Sequence, residues 1–449
     1  MMSLNKKNIT VVGAGLVGSL LSIFLANRGY NINVYERRKD KRKNIDFSSR
    51  SINLALSHRG WKALNKVGLE NKVKQISIPM YRRVMHSIDR KLTFQPYGNK
   101  NQAIFSVPRG KLNTLLVNTA EKLELVNFYF NKKCIDIDLE KSISKFEDTS
   151  NKSIISVISD HIIGADGFYS KVRSVMQKTH RFNYQQKFID HGYKEIEIPP
   201  NADGTHKLEL NALHIWPRGN FMLIALPNLD GSFTCTLFFP YEGEISFSSL
   251  ETNDQIFNFF KKTFPDVLDL VPDLIDQYKT NPTSPLGIIR CFPWVINDKV
   301  LLIGDSSHAT VPFYGQGMNS GFEDCYIFDQ LIDKYQNNWT NLFNKYQKER
   351  KKNGDAIQDL SMYNFIEMRD RTGDDNFLLQ KRIEKKFSEK YPNKWLPLYS
   401  MVTFSDISYS DALKIGKKQE NIMKKILLTP NIEKKWDSIE IESKILDLL

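Results

Sequence analysis

Gly13, Gly15 and Gly18 follow a short apolar run, Asn8 to Val12, and open a helical pattern that closes near Asn27-Arg28-Gly29. Glycines at this spacing permit a tight strand-to-helix turn, close approach of a pyrophosphate and close helix–strand packing, while the helix N-terminus supplies N–H donors and partial positive charge. A second apolar run, Asn31 to Tyr35, ends on Glu36, whose carboxylate can accept from both hydroxyls of an adenosine ribose. Strand, helix, strand and terminal acid in register read as a dinucleotide-binding opening rather than an isolated glycine turn. Gly164-Ala165-Asp166-Gly167, with Arg173 after it, follows another apolar strand and reads equally as a ligand-facing turn or as a capped turn with no ligand. More specific is Gly304-Asp305-Ser306-Ser307-His308-Ala309, running through Pro312 to Gly315-Gln316-Gly317-Met318-Asn319. Asp305 at a strand end can hold the ribityl chain of a flavin, and a helix opening near Gly317 and Met318 can aim its N–H groups at pyrophosphate or at the flavin pyrimidine edge.

These motifs need a scaffold, and the apolar patterning supplies an α/β one: a Rossmann-like dinucleotide-binding domain with an inserted β-sheet domain and a helical C-terminal region. Helical periodicity is expected in the second half of Arg50 to Leu64 and over Pro108 to Leu125. Strands are expected around Tyr81 to Phe94, at Val126 to Phe130, Cys134 to Leu139 and Ile154 to Ile158. Between about 180 and 290 apolar residues alternate, and Phe221 to Leu226 and Phe233 to Phe239 flank Asn228-Leu229-Asp230-Gly231, a hairpin turn signal. The α/β pattern resumes at Lys299 to Asp305, and the chain is mostly helical from Phe322. The expected division is a discontinuous cofactor domain (1–75, 100–180 and 290–325), a β-rich substrate domain (76–99 and 181–289) and a helical region (326–449).

Composition excludes several classes. With 449 residues, 41% hydrophobic and 25% charged, the chain is an ordinary globular protein long enough for more than one core. Lys+Arg of 63 against Asp+Glu of 51 leaves +12, which favours anionic partners. The lysines are spread thinly, and the one dense run, Arg37 to Lys43, lacks the aromatic interleaving of a nucleic-acid surface, so no nucleic acid is expected. Cys134, Cys235, Cys291 and Cys325 lie far apart with no ligand spacing; no metal site is expected, and the four read as buried small hydrophobes in a reducing compartment. No window approaches the roughly 20 apolar residues a membrane span needs.

Taken in order, the three glycine-bearing motifs resemble those of the FAD-dependent aromatic hydroxylases (group A flavoprotein monooxygenases), over nearly the whole chain. Five blocks narrow the resemblance to the branch that hydroxylates L-kynurenine: Arg50 to Ser57, Tyr81 to Ser87, Pro96-Tyr97-Gly98, Ser361 to Arg369, and Pro397 to Phe404. The resemblance implies tightly bound FAD, NADPH as transient reductant, O2 as co-substrate, and oxygen transfer to ring carbon C3 through a flavin C4a-hydroperoxide, in tryptophan degradation. It implies that Arg83, Tyr97, Asn364 and Tyr399 hold the amino-acid end of the substrate, with Pro312, Phe313 and Gln316 at the reacting end. Around the cofactor it implies Gly13, Gly15, Gly18, Glu36, Arg37, Ala55, Arg109, Asp166, Asp305, Gly317 and Met318. Arg82 competes with Arg83, and strand alternation puts the two on opposite faces, so one alone should enter the pocket. His308 is expected on the flavin-facing turn, and no side chain is expected as a strong base, because the chemistry belongs to the flavin. A hydroxylase of another aromatic acid would share the flavin motifs but lack the last two blocks; a non-catalytic flavin redox sensor is the remaining alternative. A soluble, cytoplasmic, bacterial-type protein without a membrane anchor is expected, as a monomer or homodimer.

Overall fold

The computed structural model describes residues 7–43, 52–97, 102–336, 338–370 and 375–449. Arg50, Ser51 and Gly98 of the quoted blocks lie outside the described residues. The first third of the chain runs β1 (Asn8–Val12), α1 (Leu16–Asn27), β2 (Asn31–Tyr35), β3 (Asn53–Leu56), α2 (His58–Lys66), α3 (Glu70–Lys74), β4 (Ile78–Met80), β5 (Arg82–His86), β6 (Leu92–Pro96), β7 (Ile104–Pro108), α4 (Arg109–Glu121), β8 (Val126–Tyr129), β9 (Lys132–Asp138) and β10 (Ile143–Asp148). The middle runs β11 (Ile154–Ile158), β12 (His161–Gly164), α5 (Lys171–Met176), β13 (Asn183–Ile198), β14 (Ala212–Arg218), β15 (Phe221–Pro227), β16 (Phe233–Pro240), α6 (Asn253–Thr263), α7 (Pro265–Leu270), α8 (Leu274–Thr280), β17 (Ser284–Phe292), β18 (Val295–Ile296) and β19 (Val300–Leu302). After α9 (Asp305–His308) the chain is helical: α10 (Gly317–Tyr335), α11 (Trp339–Asp370), α12 (Asp375–Lys390), α13 (Leu398–Phe404), α14 (Tyr409–Leu427), α15 (Ile432–Lys435) and α16 (Ile439–Leu448).

One sheet has the order β18-β19-β12-β1-β2-β8, parallel except where β18 meets β19. A parallel sheet must be covered on both faces, and its strands are accordingly apolar throughout: Ile9, Val11, Ile32, Val34, Ile162, Ile163, Val300 and Leu301 are inaccessible to solvent. The register decides where chemistry can occur. Val12 pairs with both Tyr35 and Gly164, and Gly164 pairs with Leu302, so β1, β2, β12 and β19 end level with one another. Gly13, Glu36, Ala165-Asp166 and Gly304 therefore leave the sheet at one carboxyl edge, the place where open α/β sheets bind ligands.

The second large sheet, β17-β13-β16-β15-β14-β5-β6, draws strands from both sides of the first sheet's later segments along the chain. Its β15–β16 hairpin closes where the sequence placed it, with Asn228 N–H donating to Ser232 O and Gly231 at φ 86°. The β-rich region from 180 to 290 also holds helices that the sequence reading did not name. Helices α6 to α8 pack on this sheet, setting Ile256, Phe260, Phe264, Val267 and Leu274 against Trp216, Phe233 and Phe239. Their signal was present: Thr252 and Gln255 form a reciprocal cap, and Ile256, Phe260 and Phe264 recur at helical spacing. The strand β10, between β9 and β11 in a three-stranded sheet, was also not anticipated. All four cysteines are free and buried. Among the described residues no helix is long and apolar enough to cross a membrane.

Candidate active site

The glycine turn is built by close approach. Gly13 has φ 104°, a conformation L side chains rarely adopt, and a Cβ there would sit 2.6 Å from Ala165 O. A Cβ on Gly18 would lie 2.0 Å from Gly13 O. These two glycines let the first and second motifs pack backbone to backbone. Gly15 differs: it is exposed, and a Cβ on it would meet nothing within 4 Å. It precedes the first turn of the twelve-residue α1 with no side-chain cap, which leaves a cradle of N–H donors facing open space. Glu36 stands beside this cradle, its Oε2 accepting from Ala14 N–H at 3.0 Å and its Oε1 from Arg38 N–H at 3.0 Å. Asn113, from the first turns of α4, donates to Ala14 O at 3.0 Å and fixes the turn from the other side. Arg109 and Arg37 are exposed nearby along the chain, and neither makes a side-chain ion pair among the described residues.

Asp166 leaves β12 at the same edge. Its carboxylate accepts from Ser170 Oγ at 2.5 Å and from the N–H groups of Lys171 and Val172 at 2.6 and 3.1 Å, so it caps α5. Burial raises its carboxyl above the usual range, against the pull of these hydrogen bonds. Arg173 is buried and donates to Ser306 O at 2.8 Å, while Ser306 Oγ donates to Gly164 O at 2.6 Å, tying the second motif to the third. Gly304 packs against Val17 of α1, and Asp305, exposed beyond it, has no side-chain hydrogen bond among the described residues. A glycine cradle open at Gly15, an acid at the end of β2 and an exposed acid at the end of β19 are the donor and acceptor set a flavin dinucleotide needs, and the residues fit FAD.

The third motif then bends into α10. Gly315 is left-handed at φ 65°, and a Cβ there would be 3.2 Å from the Ala55 Cβ. Asn319, from the first turn of α10, donates to Ala55 O at 2.8 Å and Gly315 O at 2.9 Å and accepts from Ser57 N–H at 2.9 Å. Asn319 and Ser57 carry no local signal of a role; their convergence locks β3 to the turn. Gln316 is buried and its amide is taken up by Ser57 Oγ, at 3.2 Å, and Tyr409 Oη, at 2.9 Å. Gly317 and Met318, half-buried, begin the helix. His308 does not face outward with this turn: it is 4% exposed, with Nε2 2.6 Å from Asp324 Oδ2. The cause is a buried charge cluster, in which Asp324 also accepts from Arg350 at 2.6 Å and Gly304 N–H at 3.1 Å, and Glu323 accepts from Arg350 and Arg59.

On the second sheet, β5 splits the two arginines as alternation requires. Arg82 is exposed and donates to Glu209 at 2.7 Å. Arg83 lies 4.9 Å from the ring centre of Tyr97 and 4.4 Å from that of Tyr399, with no carboxylate partner among the described residues. Burial opposes its charge, but Tyr399 and Tyr97 outweigh burial, and the guanidinium stays protonated. Tyr97, Tyr399 and Tyr314 form a ladder of near-parallel rings, with centroids 5.5 and 5.6 Å apart. The Tyr97 hydroxyl is buried beside Arg83 and Tyr399, and burial pushes its pKa up, which keeps it a neutral donor. Tyr314 belongs to a short 3-10 turn, Pro312–Tyr314, so this ladder joins the arginine to the third motif. Phe313, in the same turn, stacks on Phe365 at 4.3 Å and lies 5.0 Å from Phe238, and its carbonyl accepts from Asn364 at 2.7 Å. Pro312 is exposed. The result is an apolar wall on one side, a cation between aromatic rings on the other, and the turn of residues 312–316 between them.

Comparison with known proteins agrees with this geometry. A family described as an FAD binding domain matches residues 6–361. The kynurenine 3-monooxygenase of Flavobacterium johnsoniae is 51% identical over 441 residues, covering 98% of each chain. The chain belongs to the kynurenine 3-monooxygenase family. Another member, from Christiangramia forsetii, is 50% identical over 445 residues and 99% of each chain, and that of Dictyostelium discoideum is 45% identical over 94% of this chain and 93% of its own. Solved structures at lower identity show the same fold. The tetrameric form of 2-methyl-3-hydroxypyridine-5-carboxylic acid oxygenase superposes with TM-score 0.65 at 19% identity, covering 82% of this chain and 94% of that one. Pseudomonas aeruginosa PqsL in complex with 2-aminobenzoylacetate gives 0.66 at 16% identity, covering 82% and 98%.

Proposed function

We propose that this member of the family hydroxylates L-kynurenine at C3, consuming NADPH, a proton and O2 and releasing 3-hydroxy-L-kynurenine, NADP+ and water. The observation that carries the reading is Arg83: a cation flanked by two tyrosines, with no acid partner among the described residues, and linked through the Tyr314 ring to the turn whose Phe313 packs on Phe365 and Phe238. Its guanidinium binds the substrate carboxylate through two parallel hydrogen bonds, and charge-assisted bonds of this kind contribute about 1.5–3 kcal/mol each. The hydroxyls of Tyr97 and Tyr399 and the amide of Asn364 complete the grip on the amino-acid end. Phe313, Pro312 and Gln316 border the ring, with Phe238 and Phe365 excluding water behind it. FAD, when bound, takes electrons from NADPH and activates O2. The ring amine of kynurenine makes its ortho carbon electron-rich, so the chain needs to orient that carbon and keep the cavity dry rather than supply a base.

In the same reading Gly13, Gly15 and Gly18 carry the pyrophosphate, Glu36 and Arg37 the adenosine half, and Asp305 the ribityl chain. Ala55, Arg109, Gly317 and Met318 contact the flavin half, and Asp166 holds the α5 turn against the cofactor through its cap. The units act as a cofactor domain (1–75, 100–180, 290–325), a substrate domain (76–99, 181–289) and a helical region (326–449), in a cytoplasmic monomer or homodimer that uses its positive charge on nucleotide phosphates and one carboxylate rather than on nucleic acid. The test is product analysis by mass spectrometry with L-kynurenine, NADPH and O2, and 4-hydroxybenzoate in parallel. One added oxygen on kynurenine is expected; hydroxylation of 4-hydroxybenzoate in its place would overturn the assignment.

A further inference from the structure

Tyr399 sits on α13, and the next helix, α14, begins at Tyr409. Tyr409 is inaccessible to solvent, and its hydroxyl donates to Gln316 Oε1 at 2.9 Å. The other end of the same amide donates to Ser57 Oγ at 3.2 Å, on the residue that precedes α2. Charged side chains from three helices carry the rest of the clamp. Arg59 of α2 lies 4.1 Å over the Tyr409 ring and donates to the carbonyls of Val402, at 3.4 Å, and Ile407, which bracket the α13–α14 connection. Glu323 of α10 pairs with Arg59, and Arg350 of α11 pairs with Glu323 and Asp324.

A buried amide whose two ends are satisfied by different elements has one arrangement in which nothing is left unpaired. Gln316 immediately precedes α10, the helix that begins at the cofactor-facing turn. Displacing α14 leaves Gln316 Oε1 without a donor where water does not reach, and the same displacement carries Tyr399 off Arg83. The two halves of the site are thus tied together through the Gln316 amide, whose partners Ser57 and Tyr409 lie on separate elements.

We propose that Tyr409 is a positioning residue: it sets the Gln316–Gly317 turn against the flavin only when α13 and α14 are seated with Tyr399 against Arg83. The substrate half of this inference rests on the substrate assignment proposed above; the cofactor half rests only on the placement of the flavin at Gly317 and Met318. The test uses Tyr409→Phe in the FAD-loaded full chain, with visible circular dichroism of the bound flavin and the FAD dissociation constant measured without substrate. KM and kcat for L-kynurenine and the peroxide released per NADPH follow. Expected are a changed flavin band, FAD binding weakened roughly three- to tenfold, and a raised KM with more peroxide while kcat changes little. Ser57→Ala, which releases the other end of the amide, reproduces the flavin change. Ser408→Ala removes the α14 cap, where Ser408 Oγ accepts from Asp411 N–H at 3.2 Å, and lowers thermal stability with the flavin band unaltered. A wild-type flavin band and FAD affinity in Tyr409→Phe overturns the proposal, as does an equal change in Ser408→Ala or none in Ser57→Ala. A wild-type protein inactive on L-kynurenine, with the flavin effects intact, removes the substrate assignment and leaves the positioning role supported.

Discussion

Of two neighbouring arginines on β5, Arg82 pairs with Glu209 at the surface and Arg83 lies between the rings of Tyr97 and Tyr399. Their substitution gives a direct reading of the site. Arg83→Ala removes the carboxylate partner and raises KM for L-kynurenine by at least about 10- to 100-fold, the loss of one of its two charge-assisted bonds setting the lower bound, with FAD occupancy unchanged. Arg82→Ala loses an exposed ion pair worth at most about 1 kcal/mol and leaves KM as it was. Steady-state kinetics with flavin-to-protein ratios check both; equal effects at the two positions would contradict the assignment of the pocket face. The pair was legible in sequence because a strand's period of two separates adjacent residues by face. Which of the two faces was the pocket was not legible, since that depends on Tyr399, more than 300 positions away.

At the scale of elements, the glycine turn separates folding from binding. Gly18 meets Gly13 O at 2.0 Å if given a Cβ, so Gly18→Ala pushes α1 off β1 and lowers both thermal stability and FAD content. Gly15 has φ −73° and open space at its Cβ position, so Gly15→Ala costs the apo fold little and lowers FAD affinity, because the methyl group enters the cradle. Melting temperatures of apo protein together with FAD titration distinguish the two. A Gly15→Ala protein that binds FAD as well as the wild type would place the pyrophosphate elsewhere. The elements themselves were readable where periodicity was strong, as in β1, α1, β2 and the β15–β16 hairpin. The helices α6 to α8 escaped because a short amphipathic run of Phe and Ile inside a β-rich stretch suits either period until its caps are weighed.

For the whole molecule, burial of neutral histidines makes the fold acid-sensitive. Burial lowers the pKa of His161 and of His214 to about 4 in each case. His161 is stacked on Trp339 at 3.9 Å between β12 and α11, and His214 lies 2.9 Å from His86 in the second sheet. In the folded state these groups titrate below the ordinary histidine value of roughly 6.5, so between about 6.5 and 4 the unfolded chain binds more protons than the folded one. Stability is therefore expected to fall as pH drops through that window and to be level above it. Thermal melts from pH 8 to pH 5 check this. Replacing His161 by Phe, which keeps the aromatic stack, should flatten part of the slope; an unchanged slope would assign the acid sensitivity to other groups.

Glycine spacing, strand-end acids and apolar periods act locally or recur in fixed blocks, and they were enough for the cofactor class, the order of the three flavin motifs and the family. The sequence also named Arg83, Tyr97, Asn364 and Tyr399, but only through resemblance; taken alone, each is an ordinary residue of a strand, loop or helix. Tertiary structure decided what those residues meet. The level ends of β1, β2, β12 and β19 bring Gly13, Glu36, Asp166 and Gly304 to one edge. Packing turned Asp166 toward the α5 N-terminus and His308 toward Asp324, and it gave Tyr409, which carried no motif, the Gln316 amide. The physical reason is that hydrogen-bond partners of buried groups are set by which elements converge, and convergence across hundreds of residues leaves no trace in local spacing.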